Sequence, residues 1–142
     1  MKKNIVKGDY VFVYGTLRIG GSNSLSGWGG VEYQGKTLIN GIIHAVTPYY
    51  PGLVDATPDF SYEKPLVVGD LFLVTDDEAG RGMDRYEGYP SLYGRETVTC
   101  EKGTLAWVYT YNHLKDSHLI ESGDWLAWTK EQDYRPKLRH TL

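Results

Sequence analysis

The sequence predicts an α+β domain in which strands dominate and the sheet is closed or covered on both faces. Three observations carry this. Aromatic and β-branched stretches recur along the 142 residues, with 12 tyrosines and 4 tryptophans, a composition that suits pleated, half-buried surface. The alternation in "TLAWVYTY" puts Leu105, Trp107, Tyr109 and Tyr111 on one face and Ala106, Val108 and Thr110 on the other. Both faces are largely apolar, as in strands that water does not wash. Only short segments read as helix.

Taken in order, "DYVFVYGTLRIGG" opens with a strand at Tyr10–Tyr14 and stops at Gly15. The chain then turns through Thr16, Leu17 and Arg18 towards Gly20 and Gly21. The glycine-rich Ser22–Gly30 has room for one or two helical turns. Leu38–Val46 is a second strand, with Gly41 a candidate bulge. Thr47–Pro65 holds four of the 6 prolines and reads as a long loop of the kind that forms binding loops or lids. Leu66–Val74 is a strongly apolar strand. Glu96–Glu101 and Thr104–Tyr111 are expected to pair through a turn at Lys102-Gly103. The C-terminal "SGDWLAWTKEQD" is a candidate short helix. With no internal repeat or linker, the chain is expected to be a single domain over residues 1–142 with its core at about 9–128.

The best helix is "TDDEAGRGMDRYEG". Thr75 followed by Glu78 is a capping-box spacing, and Asp76, Asp77 and Glu78 place negative charge at the positive end of the helix dipole. Gly88 is placed to end it. Gly80 and Gly82 each weaken it by about 1 kcal/mol relative to alanine, so tertiary packing must hold it. Ala79, Met83 and Tyr86 mark its buried stripe. At about 100° per residue, Glu87 lies roughly 40° from Met83, Asp84 roughly 100° away, and Arg81 and Arg85 further out. Glu87 thus sits at the shoulder of the apolar face, at the negative end of the dipole, where local rules disfavour a carboxylate. Position alone leaves two readings. Glu87 is paired to an arginine or caps backbone groups, or it is a partly buried carboxylate with a raised pKa, suited to general acid–base work. Arg85 is two residues away and does not face it.

Several chemistries drop out. A net charge of −3 gives no basic field for nucleic acid, and the terminal "YRPKLRH" reads as a solvated tail. The 4 histidines, His44, His113, His118 and His140, show no metal-ligand spacing, and His113 and His118 are expected in a solvated polar loop. The single cysteine, Cys100, reads as a buried, inert thiol. There is no nucleophile elbow, P-loop or dinucleotide fingerprint. No apolar run approaches the roughly 20 residues needed to span a bilayer, and "MKKNIVKGDY" lacks the apolar region of an export signal. A cytoplasmic protein with no metal, cofactor, nucleic-acid or membrane partner is expected. Oligomeric state is open.

Six segments in one order resemble the γ-glutamylcyclotransferase-like family, in its AIG2-like or bacterial YtfP-like branch: "VFVYGTLR", "YYPGLV", "VVGDLFLV", "MDRYEGYPSLYGRETVTC", "AWVYTY" and "SGDW". The likeness runs from about Tyr10 to Trp125. It implies a small mixed β-barrel with a few short helices. It implies that Tyr14, Gly15, Thr16 and Leu17 grip the α-carboxylate of a γ-glutamyl group, that Glu87 is the catalytic acid/base, and that Tyr109 is a cavity-lining hydroxyl. The implied reaction closes an L-γ-glutamyl amine or amino acid to 5-oxoproline and frees the amine, with no cofactor. One departure is Asn23-Ser24, where many bacterial relatives have Asn-His. The leaving group would be read by the Thr47–Pro65 and Ser22–Gly30 segments. A binding module on the same fold, or a related lyase removing a γ-glutamyl protecting group, are the alternatives.

Overall fold

The aromatic and β-branched stretches pair into one mixed sheet. The computed structural model describes residues 3–113 and 118–131. The strands are β1 (Tyr10–Val13), β2 (Val31–Thr47), β3 (Tyr50–Thr57), β4 (Leu66–Val74), β5 (Tyr93–Thr99), β6 (Leu105–Tyr111) and β7 (His118–Leu119). Helix α1 (Asp77–Glu87) lies between β4 and β5. A second helix, α2, occupies 125–131, and Leu25–Gly27 makes a single 3₁₀ turn. The sheet order is β3-β2-β4-β1-β6-β5, with β7 added to β2. The β1–β6 pairing is parallel; the other pairs are antiparallel.

The sheet curls into a nearly closed barrel, and tyrosines bridge its open side. The Tyr93 hydroxyl of β5 donates to the Pro51 carbonyl of β3. The Tyr14 hydroxyl donates to the Tyr109 carbonyl at 2.9 Å and accepts from the Leu53 N–H at 3.0 Å, tying the end of β1 to β6 and β3. Alternation divides the core in two. Phe12 and Tyr14 join a cluster drawn from all six of β1–β6, including Ile39, Leu53, Val67, Val98 and Val108. Val11 and Val13 point the other way and pack with Phe72, Met83 and Tyr109, joining the sheet to α1.

The expected elements shift in places. The Thr47–Pro65 loop contains β3, paired with β2 from Thr47↔Tyr50 to Asn40↔Thr57. Its proline and glycine disguised a strand whose register slips between Asn40 and Ile42, beside the expected bulge at Gly41. The second strand begins at Val31 rather than Leu38; its largely exposed first half offers only Val31 and Tyr33 before Gly35 and Lys36 interrupt the pattern. β5 starts at Tyr93 and ends at Thr99. The α1 N-cap is Asp76, whose side chain accepts from Glu78 N–H; Thr75 instead donates its N–H to the Gly30 carbonyl. A Cβ on Gly80 would fall 2.2 Å from the Ile5 carbonyl oxygen, so close packing explains that glycine. Tyr86, expected in the buried stripe, is 43% exposed. His118 lies in β7, not a loop. "YRPKLRH" and the end of "SGDWLAWTKEQD" lie outside the described residues. No described helix is long and apolar enough to cross a membrane.

Candidate active site

After β1 the chain turns through Tyr14, Gly15, Thr16 and Leu17, all four of which line a narrow cavity with Glu87, Tyr93 and Tyr109. The carbonyls of the turn are used. Gly15, Thr16 and Leu17 accept from the N–H groups of Arg18, Asn23 and Leu25 at 3.1, 2.9 and 2.9 Å. Their own N–H groups find no acceptor among the described residues. Gly15 and Leu17 are buried, and buried backbone donors without partners are rare. Successive free N–H groups in a turn form a site for an anion.

Arg18 holds this turn from behind. It is 4% exposed; its Nε donates to Asp70 Oδ2 at 3.2 Å and its Nη1 to Asp124 Oδ1 at 3.1 Å. Asp70 Oδ2 also accepts the Ile19 N–H at 2.9 Å, and Oδ1 accepts from the Tyr33 hydroxyl at 3.3 Å. Asp70 was not singled out from sequence, although a lone acid inside the apolar "VVGDLFLV" was a visible signal.

Glu87 faces the turn across the cavity. It closes α1 next to Gly88, which is left-handed at φ 66°. Gly88 N–H donates to Arg85 O at 3.2 Å and Tyr89 N–H to Asp84 O at 2.9 Å, a Schellman pairing that fixes the backbone at this point. Of the two readings left open by position, pairing to an arginine is not seen. Arg81 and Arg85 both serve Glu78, at 2.8 and 3.1 Å. The Glu87 carboxyl has no hydrogen-bond or ion-pair partner among the described residues, and burial pushes its pKa up to about 7.

The tyrosines are differently placed. Burial, and then the Glu87 charge, hold the Tyr14 phenol well above its usual value. Its hydroxyl is committed to the barrel bridge. The Tyr109 ring lines the cavity, but its hydroxyl donates to Asp84 Oδ1 at 2.6 Å. The resemblance implied Tyr109 as a cavity-lining hydroxyl; the residue stands on the cavity wall with its hydroxyl engaged by Asp84. The helical wheel turned Asp84 away from the apolar stripe, and β5 covers that side. Arg95 of β5, unnamed by sequence reasoning, donates Nε and Nη2 to the two Asp84 oxygens, both at 2.9 Å. The Thr16 hydroxyl hydrogen-bonds the Tyr86 hydroxyl at 2.8 Å, linking turn to helix.

The inner cavity offers about 30 Å³ to the centres of water-sized groups. A wider groove of about 430 Å³ by the same measure continues outward, lined by Ser22, Tyr49, Tyr86 and Leu92. Thr16, Tyr50, Glu87 and Tyr93 line both, so Glu87 stands at the junction. Among the described residues no group of three or more His, Cys, Asp or Glu side chains could hold a metal. Burial pushes the Cys100 thiol up to about 11, and it lies in the core.

The sequence pattern of the family described as "Gamma-glutamyl cyclotransferase, AIG2-like" matches residues 11–127. A Vibrio cholerae protein whose name provisionally makes it a gamma-glutamylcyclotransferase is 35% identical over 123 residues, 81% of this chain and 93% of that one. Among solved structures, the Escherichia coli protein YtfP is 27% identical with a TM-score of 0.62, over 82% of this chain and 96% of its own. An AIG2-like protein of Mus musculus, 19% identical, shares the fold at a TM-score of 0.67, over 84% of this chain and 88% of its own. The pattern match over residues 11–127 and the Vibrio relative show that this chain belongs to the AIG2-like γ-glutamyl cyclotransferase family.

Proposed function

We propose that the protein converts an L-γ-glutamyl amine or amino acid to 5-oxoproline and the free amine, with Glu87 as general acid/base. The observation that carries this reading is the pairing of a half-buried, unpartnered carboxyl at pKa about 7 with unpaired backbone donors on the same cavity.

The N–H groups of Gly15, Thr16 and Leu17 take the substrate α-carboxylate, and Tyr14 and the Tyr109 ring wall the cavity. This anchors the γ-glutamyl chain folded, so that its α-amine meets its own γ-carbonyl carbon. The new C–N bond closes a five-membered ring without a second reactant, where orientation supplies much of the rate. Glu87 takes the proton released by the attacking nitrogen and passes it to the leaving nitrogen. The old C–N bond then breaks, the carbonyl re-forms, and the amine departs through the outer groove. A carboxyl poised near neutrality suits both transfers. No cofactor is needed.

The test is 5-oxoproline formation, read by mass spectrometry, across a panel of γ-glutamyl amines and amino acids. Product from the wild type and none from Glu87→Gln supports the reading. Equal product from both removes Glu87 from the chemistry. Saturable binding of the panel compounds without turnover replaces the enzyme with a binding module.

A further inference from the structure

We infer that Asp84 and Arg95 form a positioning pair that holds Glu87 inside the cavity. The catalytic consequence rests on the role proposed for Glu87; the positional one does not.

Asp84 lies one helical turn before Glu87, on a neighbouring part of the α1 surface. Both its oxygens are taken by the Arg95 fork at 2.9 Å, a bidentate geometry that fixes orientation as well as distance. The Tyr109 hydroxyl adds a third bond to the same carboxylate. The Arg95 guanidinium also stacks on Tyr89, 4.1 Å from its ring centroid, with Trp107 at 4.6 Å. Tyr89 follows Glu87 by two residues. Arg95 therefore holds the chain on both sides of Glu87, once before it and once after it. Arg95 itself is anchored in register opposite Tyr109 of β6. The grip comes from β5 and β6, which also supply cavity walls at Tyr93 and Tyr109.

An ion pair that merely docks α1 would affect stability alone. Positioning leaves a further mark, because Glu87 reports its own surroundings. Burial alone raises its pKa. The phenols that share the cavity, Tyr14, Tyr93 and Tyr109, are all held above their usual values and stay neutral near pH 7. Asp84 and Arg95 are the charged pair beside this end of α1. If their grip is lost, the carboxyl reaches water and its pKa falls, whichever partner is removed.

The experiment follows the Glu87 side-chain carboxyl by carbon-detected NMR titration in folded wild type, Asp84→Asn and Arg95→Gln. We expect a midpoint near 7 in the wild type and a fall towards the ordinary value of about 4.3 in both variants. Alongside it, kcat should fall roughly tenfold or more with KM changed less than about threefold, the mark of a group acting mainly on the reacting state. The double variant should be no worse than the poorer single one, since the two act as a unit. Glu78→Gln, which breaks only the exposed pairs with Arg81 and Arg85, should leave both readouts unchanged. A midpoint that stays near 7 with full kcat in both folded variants overturns the inference. Should either variant fail to fold, Arg95→Lys and Tyr109→Phe are read by the same criteria. Full activity in Glu87→Gln would sink the proposed chemistry while leaving the titration to decide the positioning.

Discussion

Replacing Glu87 with glutamine should make the protein more stable, and only at the pH where the enzyme would work. A carboxyl raised from 4.5 to about 7 costs about 3 kcal/mol to ionise in the folded state, at about 1.4 kcal/mol per pH unit. The sign follows from proton counting. Between pH 4.5 and 7 the folded protein keeps a proton that the unfolded chain has lost. Stability contributed by this group is therefore complete below about pH 4.5 and is lost as pH rises through about 7. Glutamine fills the same space and never ionises. Glu87→Gln should match the wild type at pH 4.5 and exceed it by up to about 3 kcal/mol at pH 8. For a chain of this length that is a gap in Tm of about 10 °C. Urea or thermal unfolding of both proteins at the two pH values reads the difference, and comparing variant with parent cancels every other titrating group. A gap that is the same at pH 4.5 and pH 8 would refute the claim that a half-buried, unpartnered carboxyl is held here.

Asp70→Asn should strip Arg18 of its buried carboxylate and cost about 3–5 kcal/mol, read by urea unfolding, with KM raised because the donor turn loses its backing. Gly80→Ala should destabilise although alanine favours helix by about 1 kcal/mol; a Cβ there meets the Ile5 carbonyl at 2.2 Å, and a higher Tm would contradict the packing. Tyr49 is 81% exposed at the mouth of the outer groove. Tyr49→Ala should leave stability within about 0.5 kcal/mol while changing the ranking of leaving amines by kcat/KM.

Sequence and structure agree where the determinants are local. The apolar run of β4, the two-faced alternation of β6 and the end of α1 at Gly88 all depend on neighbours in the chain. The shoulder position of Glu87 beside the apolar stripe could be read the same way, because a helix has a fixed period. What escaped depends on distant partners. β3 carries Pro51, Gly52 and a positive φ of 53° at Asp55, and only its pairing with β2 makes it a strand. Asp84 was placed only by its angle, roughly 100° from Met83, which names no partner; Arg95 and Tyr109, 11 and 25 residues away, close over it. The Arg18–Asp70 pair spans 52 residues. Tyr109 was placed on the correct face, but its hydroxyl belonged to a residue that local pattern could not supply. The anion-gripping turn was implied by a family likeness; that its N–H groups lack acceptors depends on the surrounding fold, which local pattern does not carry.

If Glu87 moves protons in a ring closure on a γ-glutamyl group, 5-oxoproline formation by wild type and Glu87→Gln on one panel of substrates will show it. The wild type should give product and the variant none, with substrate binding retained in the variant because the donor turn is untouched. Product at equal rates from both proteins would contradict it.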